Sequence, residues 1–205
     1  MKFNKLKIFK SHKLKKERKF IFIHIQKTAG KSIRQALGLR GGADHRLAKE
    51  IKAEIGDEEW LRSFSFCFVR NPWDRIASAY YYRKSGGNKS TDDLNRALIY
   101  PATFDEFCEN INTFKALPNE SMFISQLNWI SDQKSKIIVD YIGRVENIQT
   151  DFDIICTRIN KSNTEIKHLN KSRHKHFHEL YNDNTKRLIE LAYGEDIEAF
   201  KYTFK

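Results

Sequence analysis

Three short apolar segments along the chain are separated by longer stretches with helical spacing. They are FIFIHI at 20–25, FSFCFV at 64–69, and the apolar part of KIIVDYIGRVEN at 136–147. Runs rich in β-branched and aromatic residues predict buried strands, and strands that alternate with helices indicate a parallel sheet covered on both faces. The pattern therefore predicts an α/β protein of three layers, with a mainly parallel central sheet flanked by helices.

The polar and apolar positions between these strands predict the helices. Helical spacing is found at about 31–39, 72–83, 92–98, 103–112 and 147–159, and again in the tail from residue 182. A further helical region follows His45, where Gly56 is a predicted stop and Asp57 a predicted cap for a second short helix. The small polar residues of SGGNKSTDD, at 85–93, predict a flexible loop over a site.

The first strand runs into QKTAGKS, residues 26–32, which ends in Gly-Lys-Ser like a nucleotide-binding loop. Amides at a helix start, together with the helix dipole, attract phosphate or sulfate, and two lysines flank the same position. The predicted fold is therefore P-loop-like. The residues of this predicted anion site are Lys27, Thr28, Ala29, Gly30, Lys31, Ser32 and Ile33.

The nucleotide-binding motif is incomplete, because Ile25 stands where its first glycine belongs. An ATP-dependent P-loop kinase remains an alternative. It would use Lys31 and Ser32, with Asp140, which follows the apolar run IIV of the third segment, as the acid that holds Mg²⁺.

A second strand, turn and helix unit carries RNPWDRIASAYYY, residues 70–82. Arg70 follows the second strand, and Pro72 occupies a favoured first helical position. Ligands of open α/β sheets collect at the carboxyl ends of the strands, so Arg70 is placed to bind a phosphate and Ser78 to add a hydroxyl. The alternative is that Arg70 pairs with Asp74 while Ser78 only packs. Together the two units indicate one ligand with two separated anionic groups.

At these residues the chain resembles the sulfotransferases that use 3′-phosphoadenosine 5′-phosphosulfate (PAPS), in the branch that includes the heparan and chondroitin enzymes. QKTAGKS matches their PKTAGTS-like loop, and RNPWDRIASAY matches their RNPxxRxxSxY motif. The resemblance covers residue 20 to the end and departs at Gln26 and Lys31. It implies sulfuryl transfer from PAPS to a carbohydrate hydroxyl, with PAP as the product and no metal. Lys27 would stabilise the leaving oxygen, and Arg70 and Ser78 would bind the 3′-phosphate.

Histidine suits the general base that such a transfer needs. His45 lies between the two motifs, about where heparan uronyl sulfotransferases carry their catalytic histidine. A helix cap or a surface position is the alternative for His45, whereas His24 is predicted to pack inside the first strand. In HLNKSRH, at 168–174, Lys171, Ser172 and Arg173 are candidates to bind the nucleotide or an acidic acceptor, although such a run is also typical of a solvated face.

Charge is concentrated at the beginning of the chain. The formal net charge is +11, and residues 1–19 hold nine Lys or Arg against one acid, which leaves +3 for the remainder. Specific nucleic-acid binding by the body is therefore not expected. The sequence predicts a basic extension at 1–19 and one sulfotransferase domain at 20–205. The extension suggests contact with an anionic membrane or a polyanion, and a non-enzymatic binder of this kind is the third functional alternative.

The location of the protein follows from what the sequence lacks. No apolar run approaches the roughly 18 residues of a membrane span, and the charged start has no signal-peptide core. The prediction is a cytoplasmic protein, peripheral at a membrane surface if the extension binds there. Cys67, Cys108 and Cys156 show no zinc-binding spacing and are predicted to be reduced, buried thiols.

Overall fold

A sheet of three parallel strands lies at the centre of the computed structural model, in which residues 19–162, 164–166 and 176–205 are described. The strands are β1 (Phe20–Ile23), β2 (Phe64–Val69) and β3 (Tyr141–Arg144), in the order β1-β2-β3. Phe22 is paired with Phe66, and Cys67 with Ile142. Because the strands are parallel, their carboxyl ends form one common edge of the sheet.

Helices connect and cover the strands. In chain order they are α1 (Gly30–Ala36), α2 (Ala48–Arg62), α3 (Pro72–Lys84), α4 (Thr91–Ala97), α5 (Phe104–Glu109), α6 (Ile111–Ala116), α7 (Gln126–Ile130), α8 (Ile148–Ile159), α9 (Asp183–Ala192) and α10 (Gly194–Phe200). Short 3₁₀ helices span Ser121–Phe123, Val145–Asn147 and Phe177–Glu179. No helix among the described residues is both long and apolar enough to cross a membrane.

The alternation of side chains along β2 builds the two faces of the sheet. Phe64, Phe66 and Phe68 pack with residues of α1 and α8 on one face. Cys67 and Val69 pack with residues of α2, α7 and α10 on the other. All six residues of β2 are buried, as expected of a central strand between two helical layers. The three-layer, P-loop-like α/β fold predicted from the sequence is confirmed.

A third cluster of buried side chains lies beside the sheet and fixes α3. Tyr80 and Ile76 of α3 pack against aromatic residues of α5 and α6, including Phe107 and Phe114. The ring centroids of Tyr80 and Phe107 are 4.9 Å apart. This packing anchors the helix that carries the second motif.

The third strand is shorter than the sequence pattern predicts. The apolar run begins at 136, but Ile137 forms an antiparallel bridge with Ser131 and only Tyr141–Arg144 joins the sheet. Asp140 therefore precedes the strand, and its Oδ2 accepts hydrogen bonds from the amide and hydroxyl of Ser65, at 2.8 and 2.9 Å. Both residues lie at the amino ends of their strands. The expectation that Asp140 holds Mg²⁺ beside the 26–32 loop is wrong, because that loop follows the carboxyl end of β1.

The predicted helix boundaries hold with small corrections. The stop expected at Gly56 is a kink inside α2, where this residue has φ 82° and ψ 161°. The helix expected at 103–112 divides at Asn110 into α5 and α6. Cys67, Cys108 and Cys156 are buried and form no disulfide, as predicted. Most of the predicted basic extension, residues 1–18, lies outside the described residues.

Candidate functional site

The loop between β1 and α1 has an unusual backbone. Lys27 and Ala29 have φ angles of 69° and 60°, in the left-handed region that non-glycine residues rarely adopt. The buried Thr28 stabilises this turn by donating its hydroxyl to the carbonyl of Ile25 at 2.8 Å. The first helical hydrogen bond of α1 runs from the amide of Ile33 to the carbonyl of Ala29. The strand, loop and helix predicted at 20–39 are confirmed.

Gly30 is required by a packing contact. A Cβ atom added at Gly30 would lie 1.7 Å from Nε2 of His24, so no other residue fits without moving that ring. His24 is buried, one residue beyond the end of β1 rather than inside the strand, and it packs as predicted. Burial, followed by the nearby charge of His45, lowers the pKa of His24 to about 3. His24 is therefore neutral at physiological pH.

Lys27, at the tip of the loop, is partly buried among other cations. Its Nζ lies 4.2 Å from the centroid of the Tyr82 ring. Burial is the main cause that lowers the pKa of Lys27 to about 8, and the charges of Arg70, Lys31 and Arg83 add to it. An anionic ligand is favoured beside this ammonium, because its charge offsets the repulsion that the neighbouring cations exert on Lys27.

The second motif is held in place by the backbone around Arg70. Gln126 accepts from the amide of Arg70 and donates to its carbonyl, both at 2.9 Å. The side chain of Asn71 caps α3 by accepting from the amide of Trp73, and Pro72 begins the helix as predicted. Arg70 is therefore fixed at the point where the chain leaves β2.

The guanidinium of Arg70 joins the two motifs. Its Nε and Nη2 donate to the two carboxylate oxygens of Asp74, each at 2.7 Å, and Nη1 donates to the carbonyl of Lys27 at 3.3 Å. The ion pair with Asp74, which the sequence left as an alternative, is thus present. It occupies one edge of the guanidinium and leaves Nη1 directed at the loop.

One face of α3 runs beside these groups. Asp74, Ser78 and Tyr82 are spaced by four residues and so share a helix face. Asp74 binds Arg70 and Tyr82 contacts Lys27, which places the buried Ser78 between the two contacts along the helix. The predicted role of Ser78 in binding a phosphate stays a prediction, and its position is compatible with it.

A buried arginine that the sequence analysis did not single out connects α3 to the loop. Arg75 is fully buried and donates to three carbonyls, those of Gln26, Ile124 and Met122, at 3.1, 3.1 and 2.8 Å. Burial lowers the pKa of Arg75. The signal was present in the sequence, since Arg75 is the second arginine of RNPWDR, but nothing in the pattern distinguishes a structural from a ligand-binding arginine.

His45 lies next to the loop, on the chain between α1 and α2. Its Nδ1 is 3.2 Å from the carbonyl of His24, and the two imidazole centroids are 4.5 Å apart. A carbonyl can only accept, so Nδ1 carries the proton and Nε2 of the neutral ring carries the lone pair. The side chain is exposed to solvent. The structure brings His45 to the loop, while its catalytic role stays a prediction.

The segment predicted to lie over a site, 85–93, does contact the loop. Asn88 accepts a hydrogen bond from Nζ of Lys31 at 3.3 Å. Asp93 organises this segment, because it accepts from the amide of Asn88 at 3.0 Å and from Arg83 at 3.1 Å. Lys171, Ser172 and Arg173 lie outside the described residues, so their predicted contacts with a nucleotide or acceptor stay predictions.

Comparisons with known proteins address the identity of the chain. It is 28% identical over 110 residues to an uncharacterized protein of Archaeoglobus fulgidus, and the match covers 53% of this chain and 78% of that protein. No solved structure gives a significant match. The profile of the sulfotransferase family matches residues 11–203, which include both motifs and the whole sheet. The chain belongs to the sulfotransferase family.

Proposed function

We propose that this sulfotransferase transfers the sulfuryl group of PAPS to a hydroxyl of a carbohydrate acceptor. The observation that carries the proposal is the contact between its two motifs, in which Nη1 of Arg70 lies 3.3 Å from the carbonyl of Lys27. PAPS has two anionic ends, the 5′-phosphosulfate and the 3′-phosphate. A loop lysine and an arginine at one sheet edge match those two ends in charge and in number.

The 5′-phosphosulfate is assigned to the β1–α1 loop, with residues 27–33 around it. In the transfer, the bond between sulfur and the bridging phosphate oxygen breaks, and its electron pair stays on that oxygen. Lys27 stabilises the charge that develops there, acting in a partly buried site where electrostatic interactions are stronger than in water. With a pKa of about 8, Lys27 is mostly protonated at neutral pH, and an anionic donor favours the protonated form further.

The 3′-phosphate is assigned to Arg70 and Ser78. Asp74 holds the Nε and Nη2 edge of the guanidinium, which fixes its plane. Nη1 carries two hydrogens, one of which is donated to the carbonyl of Lys27, so the second is available to a phosphate oxygen. The hydroxyl of Ser78 supplies a second donor from the same face of α3.

His45 is assigned as the general base. The acceptor oxygen attacks sulfur in line with the leaving oxygen while its proton passes to Nε2 of His45. The hydrogen bond from Nδ1 to the carbonyl of His24 supports this role because it selects the tautomer whose Nε2 can accept. The choice of a carbohydrate acceptor rests on the resemblance of QKTAGKS and RNPWDRIASAY to the carbohydrate sulfotransferases.

The kinase alternative needs Asp140 as a magnesium ligand near the loop. Asp140 instead accepts hydrogen bonds from Ser65 at the amino ends of the strands, away from the loop at their carboxyl ends. The experiment that separates the two is calorimetry with PAP against ATP and Mg²⁺. We expect PAP to bind and ATP to bind at least about tenfold more weakly, a difference of about 1.4 kcal/mol. Tight ATP binding without PAP binding contradicts the proposal.

Incubation with labelled PAPS and a glycan panel then identifies the acceptor. Transfer of label to no glycan, with PAP binding intact, contradicts the carbohydrate class alone. Deleting residues 2–19 tests the non-enzymatic alternative, because a protein that acts only through its basic extension loses all binding and activity with it.

A further inference from the structure

Tyr82 lies on the last turns of α3, where its ring meets the loop lysine. The Nζ atom of Lys27 is 4.2 Å from the ring centroid, within the range of a cation–π interaction. Tyr82 is the last residue of RNPWDRIASAYYY, and neither anion-binding motif gives it a part in binding the donor. Its two neighbouring tyrosines turn elsewhere, since Tyr80 and Tyr81 pack against Phe104.

We propose that Tyr82 is a positioning residue for Lys27, whose ring face holds the ammonium beside the donor loop until an anionic donor binds. This inference rests on the proposed function, in which Lys27 stabilises the leaving oxygen. Tyr82 itself touches no reacting atom. Burial, followed by the charge of Asp93, raises the pKa of Tyr82, so the phenol is neutral and adds no negative charge beside Lys27.

The surroundings of Lys27 explain why it needs an aromatic partner. In the part of the chain that the structure describes, the charges that lower the pKa of Lys27 are those of cations: Arg70 at the end of β2, Lys31 on α1 and Arg83 on α3. The carboxylates nearest to these groups are already paired, Asp74 with Arg70, and Asp93 and Glu120 with Arg83. Among the described residues no carboxylate forms an ion pair with Lys27.

An aromatic face suits this position better than a carboxylate. A carboxylate beside Lys27 would repel the phosphosulfate and would have to be displaced when the donor binds. The face of an aromatic ring attracts the ammonium more weakly than a carboxylate does, and the ring carries no net charge. The ammonium can therefore leave the ring and contact the sulfuryl donor at little cost. The ring also limits the rotamers of a long side chain, which reduces the entropy lost when Lys27 reaches the bridging oxygen.

Kinetics of Tyr82→Phe and Tyr82→Leu separate the ring from the hydroxyl. We expect Tyr82→Phe to keep kcat within about twofold and Tyr82→Leu to lower it about tenfold, with the Kd of PAP changed less than threefold. The matched control is Tyr81→Leu, which removes a tyrosine from the same helix without touching Lys27. In a Lys27→Ala background, Tyr82→Leu should add no further loss, because its effect acts through that lysine.

Three results overturn the proposal: a loss in Tyr82→Phe equal to that in Tyr82→Leu, a loss of PAP affinity that accounts for the whole effect, or an undiminished effect in Lys27→Ala. A readout that needs no turnover is NMR of the full chain after reductive ¹³C-dimethylation of its lysines. The Lys27 signal is assigned by its absence in Lys27→Arg. It should show a ring-current shift that persists in Tyr82→Phe and disappears in Tyr82→Leu.

Failure of the proposed function and failure of the positioning role of Tyr82 give different results. A parent protein that binds no PAP and transfers no sulfuryl group refutes the proposed function, and the NMR comparison can still be made. A Lys27 signal that is unchanged in Tyr82→Leu refutes the positioning role of Tyr82 alone.

Discussion

Replacing Lys27 by Met should make the donor-free protein more stable at neutral pH while it lowers turnover by orders of magnitude. The pKa of Lys27 falls from an ordinary 10.5 to about 8 on folding, mainly through burial. Each pKa unit corresponds to about 1.36 kcal/mol, so the charged lysine costs the folded state about 3 kcal/mol as an upper limit. Loss of the contact with Tyr82 offsets about 1 kcal/mol of the gain. The expected net increase in the free energy of unfolding is about 2 kcal/mol at pH 7.

The sign of the pH dependence follows from the direction of the shift. Below the folded pKa of about 8, both states are protonated and the cost is fully present. Between pH 8 and 10.5 the unfolded state binds the proton that the folded state has released, so the parent gains stability as the pH rises. The advantage of Lys27→Met should therefore shrink by about 2 kcal/mol between about pH 7 and 9.5.

Urea unfolding followed by tryptophan fluorescence at a series of pH values measures this difference. Only the difference between variant and parent is interpreted, because the other titrating groups are common to both proteins. Lys134→Met, at an exposed lysine, controls for the loss of one surface charge. A Lys27→Met protein that is less stable than the parent at pH 7, or an advantage that does not change with pH, refutes the reasoning.

Three further substitutions test other parts of the site. Gly30→Ala should lower the free energy of unfolding by about 1–3 kcal/mol, because its Cβ meets the His24 ring; unchanged urea unfolding would contradict that packing. Arg75→Leu should cost about 3 kcal/mol or more, since one buried and two partly buried carbonyls lose their donor, and a melting temperature within a degree of the parent would show that they find other partners. His45→Ala should lower kcat by about 100-fold or more with PAP affinity retained, and a fully active variant would place the base elsewhere.

The sequence was sufficient to predict the fold where local signals and burial agree. β2 is apolar at five of its six positions and is followed by a proline at the first position of α3, so both elements were predicted almost to the residue. The third strand was predicted too long, because Ile137 and Ile138 are apolar for a different reason. They pair with the end of α7 instead of the sheet. Ile138 packs partly buried against the cluster that includes α2 and α7, whereas Ile137 is exposed. An apolar run alone therefore shows neither whether its residues are buried nor what covers them.

The candidate site was predicted in part, and the rest depends on contacts between distant segments. Lys27 and Arg70 belong to motifs that local sequence defines, and the parallel sheet brings both to one edge. The partner of Lys27 is 55 positions away along the chain, on a helix whose direction is set by the aromatic cluster of α3, α5 and α6. The reason for Gly30 was likewise hidden, since the imidazole that excludes a Cβ comes from the end of the preceding strand.

The three hydrogen bonds of Arg75 have a consequence for selectivity. One of them joins α3 directly to the carbonyl of Gln26, and the other two hold the guanidinium in place, so the distance between the loop and the second motif is restrained. The conformational entropy of these segments is lost during folding. A ligand whose charged groups already have the matching separation therefore binds without a further entropic cost of ordering the protein. For the proposed donor PAPS, a fixed separation of the two motifs favours a ligand whose two anionic ends have the matching span.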